Sequence, residues 1–144
     1  MLTLLAPKIL ILESQMIIAA DVSLQFSKLG YDVIGINTKL EDALITIQNN
    51  RPDIVIMNIV RQGKVTGYKM ASSILKTLHI PVVFLSASTD KETFNLAVKV
   101  QPYAFITKPF DEKDLKRGIE ITLKRMAIEG LWKRNLPIFK YNIV

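Results

Sequence analysis

Residues Asp53–Ile59 read DIVIMNI, and this short run indicates the architecture because it is apolar at successive positions, not at alternate ones. A strand has that pattern when both faces of its sheet are covered by other elements. Four further runs of strand length have a similar composition. They are Lys8–Leu12 (KILIL), Tyr31–Ile36, Pro81–Ser86 (PVVFLS) and Tyr103–Thr107. The sequence therefore predicts five strands that are buried in one sheet.

The segments between these runs have helical spacing. In the first, Ile18, Val22, Phe26 and Leu29 recur at intervals of three or four, and Gly30 follows as a stop signal. The other predicted helices run from Leu40 to Ile47 behind a capping box at Thr38 and Glu41, from Gly67 to Leu78, from Asp90 to Val100 behind a Ser88-Thr89 cap, and from Glu112 onward.

Five strands that alternate with five helices predict an α/β fold. Parallel neighbours need right-handed crossovers, which place helices on both faces of the sheet. A closed barrel of this kind needs about 250 residues, and the chain has 144. An open, doubly wound, five-stranded parallel sheet is therefore expected, with its functional site at the carboxyl ends of the strands.

The composition excludes several kinds of site. The chain has 19 Lys and Arg against 13 Asp and Glu, a net charge of +6, no cysteine and one histidine, His79. Disulfides, thiolate zinc sites and cysteine nucleophiles are excluded, and sites built on several imidazoles are not expected. We expect His79 to be exposed and functionally silent.

The apolar start of the chain is interrupted by Pro7 and Lys8, and no uncharged apolar run reaches 18 residues. Both observations favour a cytoplasmic protein.

Polar residues follow the predicted strands at the edge where such a sheet binds its ligands. They are Glu13-Ser14, Asn58, Ser86 and Lys108, the last of which is followed by Pro109 and Phe110. With KILILES, RPDIVIMNIV, PVVFLSAS and ITKPF in this order, the chain from Lys8 to about Lys124 resembles the receiver domain of two-component response regulators. The resemblance implies a flavodoxin-like (βα)5 fold with strand order 2-1-3-4-5.

In receiver domains, two acids after the first strand and an Asp at the end of the third bind Mg²⁺, and that Asp accepts a phosphoryl group from a histidine kinase. The resemblance assigns Glu13 to the first acid, Ser86 to the hydroxyl that bonds the phosphoryl group and Lys108 to the lysine that pairs with it. It also assigns Phe105 to the switch aromatic and implies a cis peptide bond before Pro109.

Two positions depart from the family pattern, because Ser14 stands in place of the second acid and Asn58 in place of the phosphoacceptor. A carboxamide is a poor nucleophile toward phosphorus, and Mg²⁺ prefers anionic oxygen ligands. We therefore expect no catalytic residue, no cofactor, weak or no Mg²⁺ binding, and mutual neutralisation of Glu13 and Lys108. The predicted function is a phosphorylation-independent pseudo-receiver that acts through protein–protein contacts and is not an enzyme.

Two other functions stay open. One is an active receiver in which Asn58 artificially replaces the acceptor Asp. The other is a flavodoxin-like protein that binds FMN at the same strand ends, although LESQM after the first strand lacks the glycine of a phosphate loop. Single residues also have structural interpretations: Ser14 as a helix N-cap, Phe105 as core, and Gly63 and Gly67 as a mobile turn over the pocket.

The predicted receiver domain covers residues 1–125, followed by a C-terminal helix extension and tail over residues 126–144. The aromatic and apolar residues of this tail favour a dimer contact or a linker stub. Expected partners are proteins: a sensor histidine kinase or another signalling domain, and a second copy through the face made by helix 4, strand 5 and helix 5 of the family fold. Neither nucleic acid nor a membrane is expected as a partner.

Overall fold

Five parallel strands form the central sheet in the computed structural model, which describes residues 6–61, 64–65, 67–86 and 91–131. They are β1 (Lys8–Leu12), β2 (Asp32–Asn37), β3 (Ile54–Met57), β4 (Val82–Ser86) and β5 (Ala104–Thr107). Their order is β2-β1-β3-β4-β5, so the predicted α/β fold and its strand order are confirmed. Residues 60–61 and 64–65 pair as a short antiparallel ribbon after β3.

Five helices cover both faces of the sheet. They are α1 (Met16–Lys28), α2 (Leu40–Asn49), α3 (Gly67–Lys76), α4 (Lys91–Val100) and α5 (Glu112–Ile128). Ile9 and Ile11 of β1 lie in a core with α1 and α5, whereas Leu10 and Leu12 lie in a second core with α2, α3 and α4. All four side chains are at most 1% exposed. The successive apolar residues of the strands are explained by these two cores.

The end of α1 is closed by Gly30, as its sequence position predicts. Gly30 has a φ of 90°, and its N–H donates to the Ser27 carbonyl at 3.0 Å. The N–H of Tyr31 donates to the Phe26 carbonyl at 3.0 Å. These two bonds form a Schellman motif, which needs a left-handed residue at the position of the glycine.

Two predicted helix caps are wrong. The N-cap of α2 is Lys39, with no side-chain capping bond, so Glu41 is at the second helical position, whereas a capping box needs its acid at the third. The N-cap of α1 is Gln15, so Ser14 lies one residue before the position at which its hydroxyl would cap the helix. In both cases the N-cap lies one residue after the one that the sequence predicts.

Some predictions concern residues that the structure does not describe. The predicted cap at residues 88–89 and the glycine at position 63 lie outside the described residues, as do residues 132–144 of the tail. Helix α5 continues to Ile128, and Gly130 follows with a φ of 77°. Across the described ranges, none of the helices combines the length and apolar character needed to cross a membrane.

Candidate functional site

The carboxyl ends of β1, β3, β4 and β5 bring four of the predicted site residues to one edge of the sheet. Glu13 follows β1 and Asn58 follows β3, and the Asn58 N–H donates to the Leu12 carbonyl at 3.3 Å. Ser86 ends β4, and its carbonyl accepts the backbone N–H of Lys108 at 2.9 Å. Parallel pairing therefore brings residues with an acid, an amide, a hydroxyl and an ammonium group to the same edge of the sheet.

Glu13 is the residue that links this group, and it is 3% exposed. Its Oε1 atom accepts from the Asn58 amide nitrogen at 3.3 Å and from the Lys108 ammonium at 3.5 Å. Its Oε2 atom accepts from the Ser14 hydroxyl at 3.5 Å and from the Gln15 backbone N–H at 3.4 Å. Both oxygens of the carboxylate are therefore engaged by donors from the protein itself.

Glu13 and Lys108 form an ion pair whose side chains are 4% and 17% exposed. Their formal charges sum to zero. At a separation of this kind the gross attraction is roughly 4 kcal/mol, from which the cost of removing both charges from water must be subtracted. Within the described ranges, no three acidic or histidine side chains gather in a way that suits a metal ion.

The other predicted site residues belong to β4, β5 and the turn after β5. Ser86 is fully buried at the end of β4, and the peptide bond between Lys108 and Pro109 is cis. Phe105 of β5 is half-buried, with ring centroids 6.2 Å from buried Phe84 and 6.2 Å from exposed Phe94 of α4. Phe105 thus connects the second core with a surface ring on α4.

Gly67 is the position at which the sequence predicts the start of the third helix, and this start is confirmed, whereas its interpretation as part of a mobile turn is wrong. It is the buried first residue of α3, and its N–H donates to the Ile59 carbonyl at 3.0 Å. A Cβ atom at this position would lie 3.0 Å from the carbonyl oxygens of both Asn58 and Ile59. Only a glycine lets α3 approach the backbone after β3 so closely, and no local sequence pattern indicates such an approach.

The sheet order and the covering helices define a flavodoxin-like α/β protein, and the residues at its strand ends are at the positions of a receiver site. Residues 9–120 match the family described as the response regulator receiver domain. The chain belongs to this family. The membership favours the receiver interpretation over the FMN-binding alternative.

Known relatives agree with this assignment. The chain is 29% identical over 120 residues to the phyllosphere-induced regulator PhyR of Methylorubrum extorquens, covering 83% of this chain and 44% of that protein. It is 28% identical over 127 residues to the transcriptional regulatory protein PdtaR of Mycobacterium tuberculosis, covering 85% and 62%. The chain thus spans about half the length of these curated relatives.

A solved structure extends the comparison. The signal receiver domain of a modulated diguanylate cyclase from Desulfovibrio desulfuricans superposes with a TM-score of 0.78 at 32% identity, covering 86% of this chain and 98% of that domain. Receiver domains act in two-component signal transduction through contacts with other proteins, and they are generally non-enzymatic.

Proposed function

We propose that this receiver works without phosphoryl transfer, as a non-enzymatic pseudo-receiver that signals through protein contacts. The observation that supports this most strongly is the orientation of Asn58. Its amide nitrogen donates to Glu13 Oε1 at 3.3 Å. At the acceptor position, the pocket therefore holds a hydrogen-bond donor that is engaged with the acid beside it.

The chemistry of the amide supports the same proposal. A carboxylate oxygen attacks phosphorus and becomes an acyl phosphate, whereas a neutral carboxamide is a poor nucleophile with no stable equivalent product. Positioning and electrostatic stabilisation supply most of the catalysis in phosphoryl transfer. Ser86 and Lys108 occupy the hydroxyl and lysine positions of the family, but position 58 beside them provides no anionic nucleophile.

The residues present do not fit the Mg²⁺ ion that the family implies. Mg²⁺ takes hard oxygen ligands in a near-octahedral shell. Around Glu13, the described neighbours are an ammonium, an amide nitrogen, a hydroxyl and a backbone N–H, all oriented as donors. The Lys108 charge already balances Glu13, so we expect weak or no binding of the metal.

The direct test is incubation with acetyl phosphate and Mg²⁺, followed by intact-mass measurement. We expect no mass gain for the wild-type chain or for Asn58→Asp, which still lacks the acid at position 14. The Ser14→Asp/Asn58→Asp variant restores three carboxylates beside Ser86 and Lys108, and we expect it to gain one phosphoryl group.

Two outcomes would change the assignment. A stoichiometric gain on the wild-type chain would overturn the proposal. A gain on Asn58→Asp alone would favour the alternative of an active receiver whose acceptor was replaced by Asn58.

The protein contacts are proposed for the face made by α4, β5 and α5. Phe94 and Val98 of α4 and Ile121 of α5 are each about half exposed. A cavity of about 320 Å³ lies between β5 and α5, and Ile121 is among its lining residues. Exposed apolar groups at this density suit a partner surface. A second copy of the chain, a sensor histidine kinase or another signalling domain is the proposed partner, in the cytoplasm.

A further inference from the structure

A groove of about 530 Å³ lies between α3 and α4, on the face of the sheet opposite α5. Its volume falls within the range of small-molecule sites. Its polar lining consists of ammonium and hydroxyl groups, which donate hydrogen bonds to anions. They belong to Lys69, Lys76, Lys99, Ser72, Ser73 and Thr77.

The positive charge of this groove has no counterpart among its lining residues. None of the described residues that line it is acidic, and α3 contains no Asp or Glu. Within the described part of the chain, Lys69, Lys76 and Lys99 take part in none of the ion pairs. Like charges that share a groove repel one another, so this arrangement does not contribute to the stability of the fold.

The spacing of the lysines suits a ligand with more than one anionic group. Lys69 and Lys76 are seven residues apart on α3, which corresponds to about 10 Å along the helix axis. Lys99 reaches the groove from α4. Lysine binds phosphate as a point charge, and the hydroxyls of Ser72 and Thr77 supply further donors for phosphate oxygens.

The rest of the lining is apolar or aromatic. Val100 is 3% exposed, Leu96 is half-buried beside it on α4, and half-buried Tyr68 comes from the first turn of α3. A purely inorganic anion would leave the exposed parts of Leu96 and Tyr68 in water. A planar organic ring would cover these parts and bury apolar surface.

We propose that this groove binds a small organic phosphate of nucleotide size, with its phosphate groups on the lysines and its ring over Leu96 and Tyr68. Such a ligand would contact α3 and α4 together. Helix α4 also carries Phe94, whose ring contacts Phe105. The ligand would therefore bind the helix that contributes Phe94 to the α4–β5–α5 face, and its binding needs no phosphoacceptor at position 58.

The test is isothermal titration of the whole chain with ATP and with GTP at low ionic strength. We expect at least one of the two nucleotides to bind with a dissociation constant below about 1 mM. Adenosine and guanosine, which lack phosphate, should not bind measurably. Tripolyphosphate, which lacks the ring, should bind at least about tenfold more weakly than the nucleotide, because it leaves the apolar wall uncovered.

Variants connect the binding to the groove. Lys69→Ala/Lys99→Ala should weaken nucleotide binding by about tenfold or more. The matched control Lys28→Ala/Lys113→Ala removes the same charge from exposed positions on α1 and α5, and it should leave the affinity unchanged. The altered side chains are exposed, and thermal unfolding checks that each variant is folded. Lys76→Ala is the substitute variant if the double variant does not fold.

Three results would overturn the proposal. They are the absence of binding by either nucleotide, equal weakening by the control variant, and equal affinity for tripolyphosphate, which would indicate a non-specific attraction of polyanions. Duplex DNA that binds through the same lysines while neither nucleotide does would indicate nucleic acid instead. The titration does not involve acetyl phosphate, so its failure is distinguishable from failure of the phosphorylation-independent function.

Discussion

At the scale of single residues, the pocket depends on the charge balance of Glu13. The carboxylate is almost fully buried and accepts from four described donors, of which Lys108 alone carries a charge. Neutral hydrogen bonds contribute about 1 kcal/mol each, and a buried charge that loses its counter-ion is costly. Lys108 therefore has a structural role that persists without phosphoryl chemistry.

Replacing Lys108 by methionine tests this role. We expect Lys108→Met to lower the free energy of unfolding by about 1–3 kcal/mol, because Glu13 would then keep only neutral donors. Urea unfolding at neutral pH measures the change. Lys116→Met is the matched control, since the pair of Lys116 with Glu120 is more than half exposed on both sides and contributes less than about 1 kcal/mol. Equal effects of the two substitutions would contradict the prediction.

Gly67 gives a second test at this scale. Gly67→Ala would place a Cβ atom 3.0 Å from two backbone carbonyl oxygens, which cannot move as a side chain can. We expect a loss of about 1–3 kcal/mol, typical of overpacking. Gly35→Ala is the control, because its Cβ would meet side-chain atoms at 3.4–3.5 Å. Equal free energies of unfolding for Gly67→Ala and Gly35→Ala would contradict the prediction and show that α3 can shift to accommodate the Cβ atom.

At the scale of elements, helix α5 begins with a reciprocal capping box. Asp111 accepts the Asp114 N–H at 2.9 Å, and Asp114 accepts the Asp111 N–H at 3.0 Å. The backbone hydrogen bond from Asp114 is the main reason why the pKa of Asp111 lies below its ordinary value of 3.8. Because this pKa is lower in the folded state, the ionised cap stabilises the fold above the ordinary value and loses that effect as the pH falls.

The cap therefore predicts a pH-dependent effect of Asp111→Ala. We expect this variant to melt at a lower temperature than wild type near neutral pH. The difference should narrow as the pH falls through the ordinary value of 3.8 and below it, where the wild-type carboxylate becomes protonated. Asp111→Asn keeps an acceptor oxygen without a titrating group, so its advantage over Asp111→Ala should stay constant. A wild-type advantage that does not change with pH would exclude the ionised cap as its source.

At the scale of the whole molecule, the proposed contact face lies at an edge of the sheet. Strand β5 lies at one edge of the five-stranded sheet, flanked by the half-exposed side chains of Val98 on α4 and Ile121 on α5. Apolar side chains on both sides of an edge strand favour the burial of this surface by a partner. The proposed contact face is therefore a property of three elements together.

Sedimentation velocity over a range of protein concentrations tests this face. We expect the wild-type chain to self-associate and Val98→Glu/Ile121→Glu to stay monomeric, because each substitution would bury an unpaired charge in the contact. Ile17→Glu on α1 is the control, since Ile17 is 87% exposed and belongs to another surface. Association that Ile17→Glu weakens more than the double variant does would place the contact on α1.

Much of the fold could be predicted from the sequence because its signals are local. Runs such as DIVIMNI are apolar at successive positions, and the order of strands and helices limits the sheet to a doubly wound arrangement. The helix caps before α1 and α2 were less predictable. Thr38 and Ser14 have cap chemistry, but the backbone becomes helical two residues after each of them, because tertiary packing sets where a helix begins.

The sequence by itself determined which residue types stand at the strand ends, including the missing acids at Ser14 and Asn58, since parallel strands end at a common edge. The tertiary structure decided how those residues are used. It directs Asn58 and Lys108 to the same oxygen of Glu13, brings Gly67 against the backbone after β3, and assembles one basic groove from two helices. These contacts join residues far apart in the chain, and their distances depend on packing in three dimensions, which local sequence patterns do not contain.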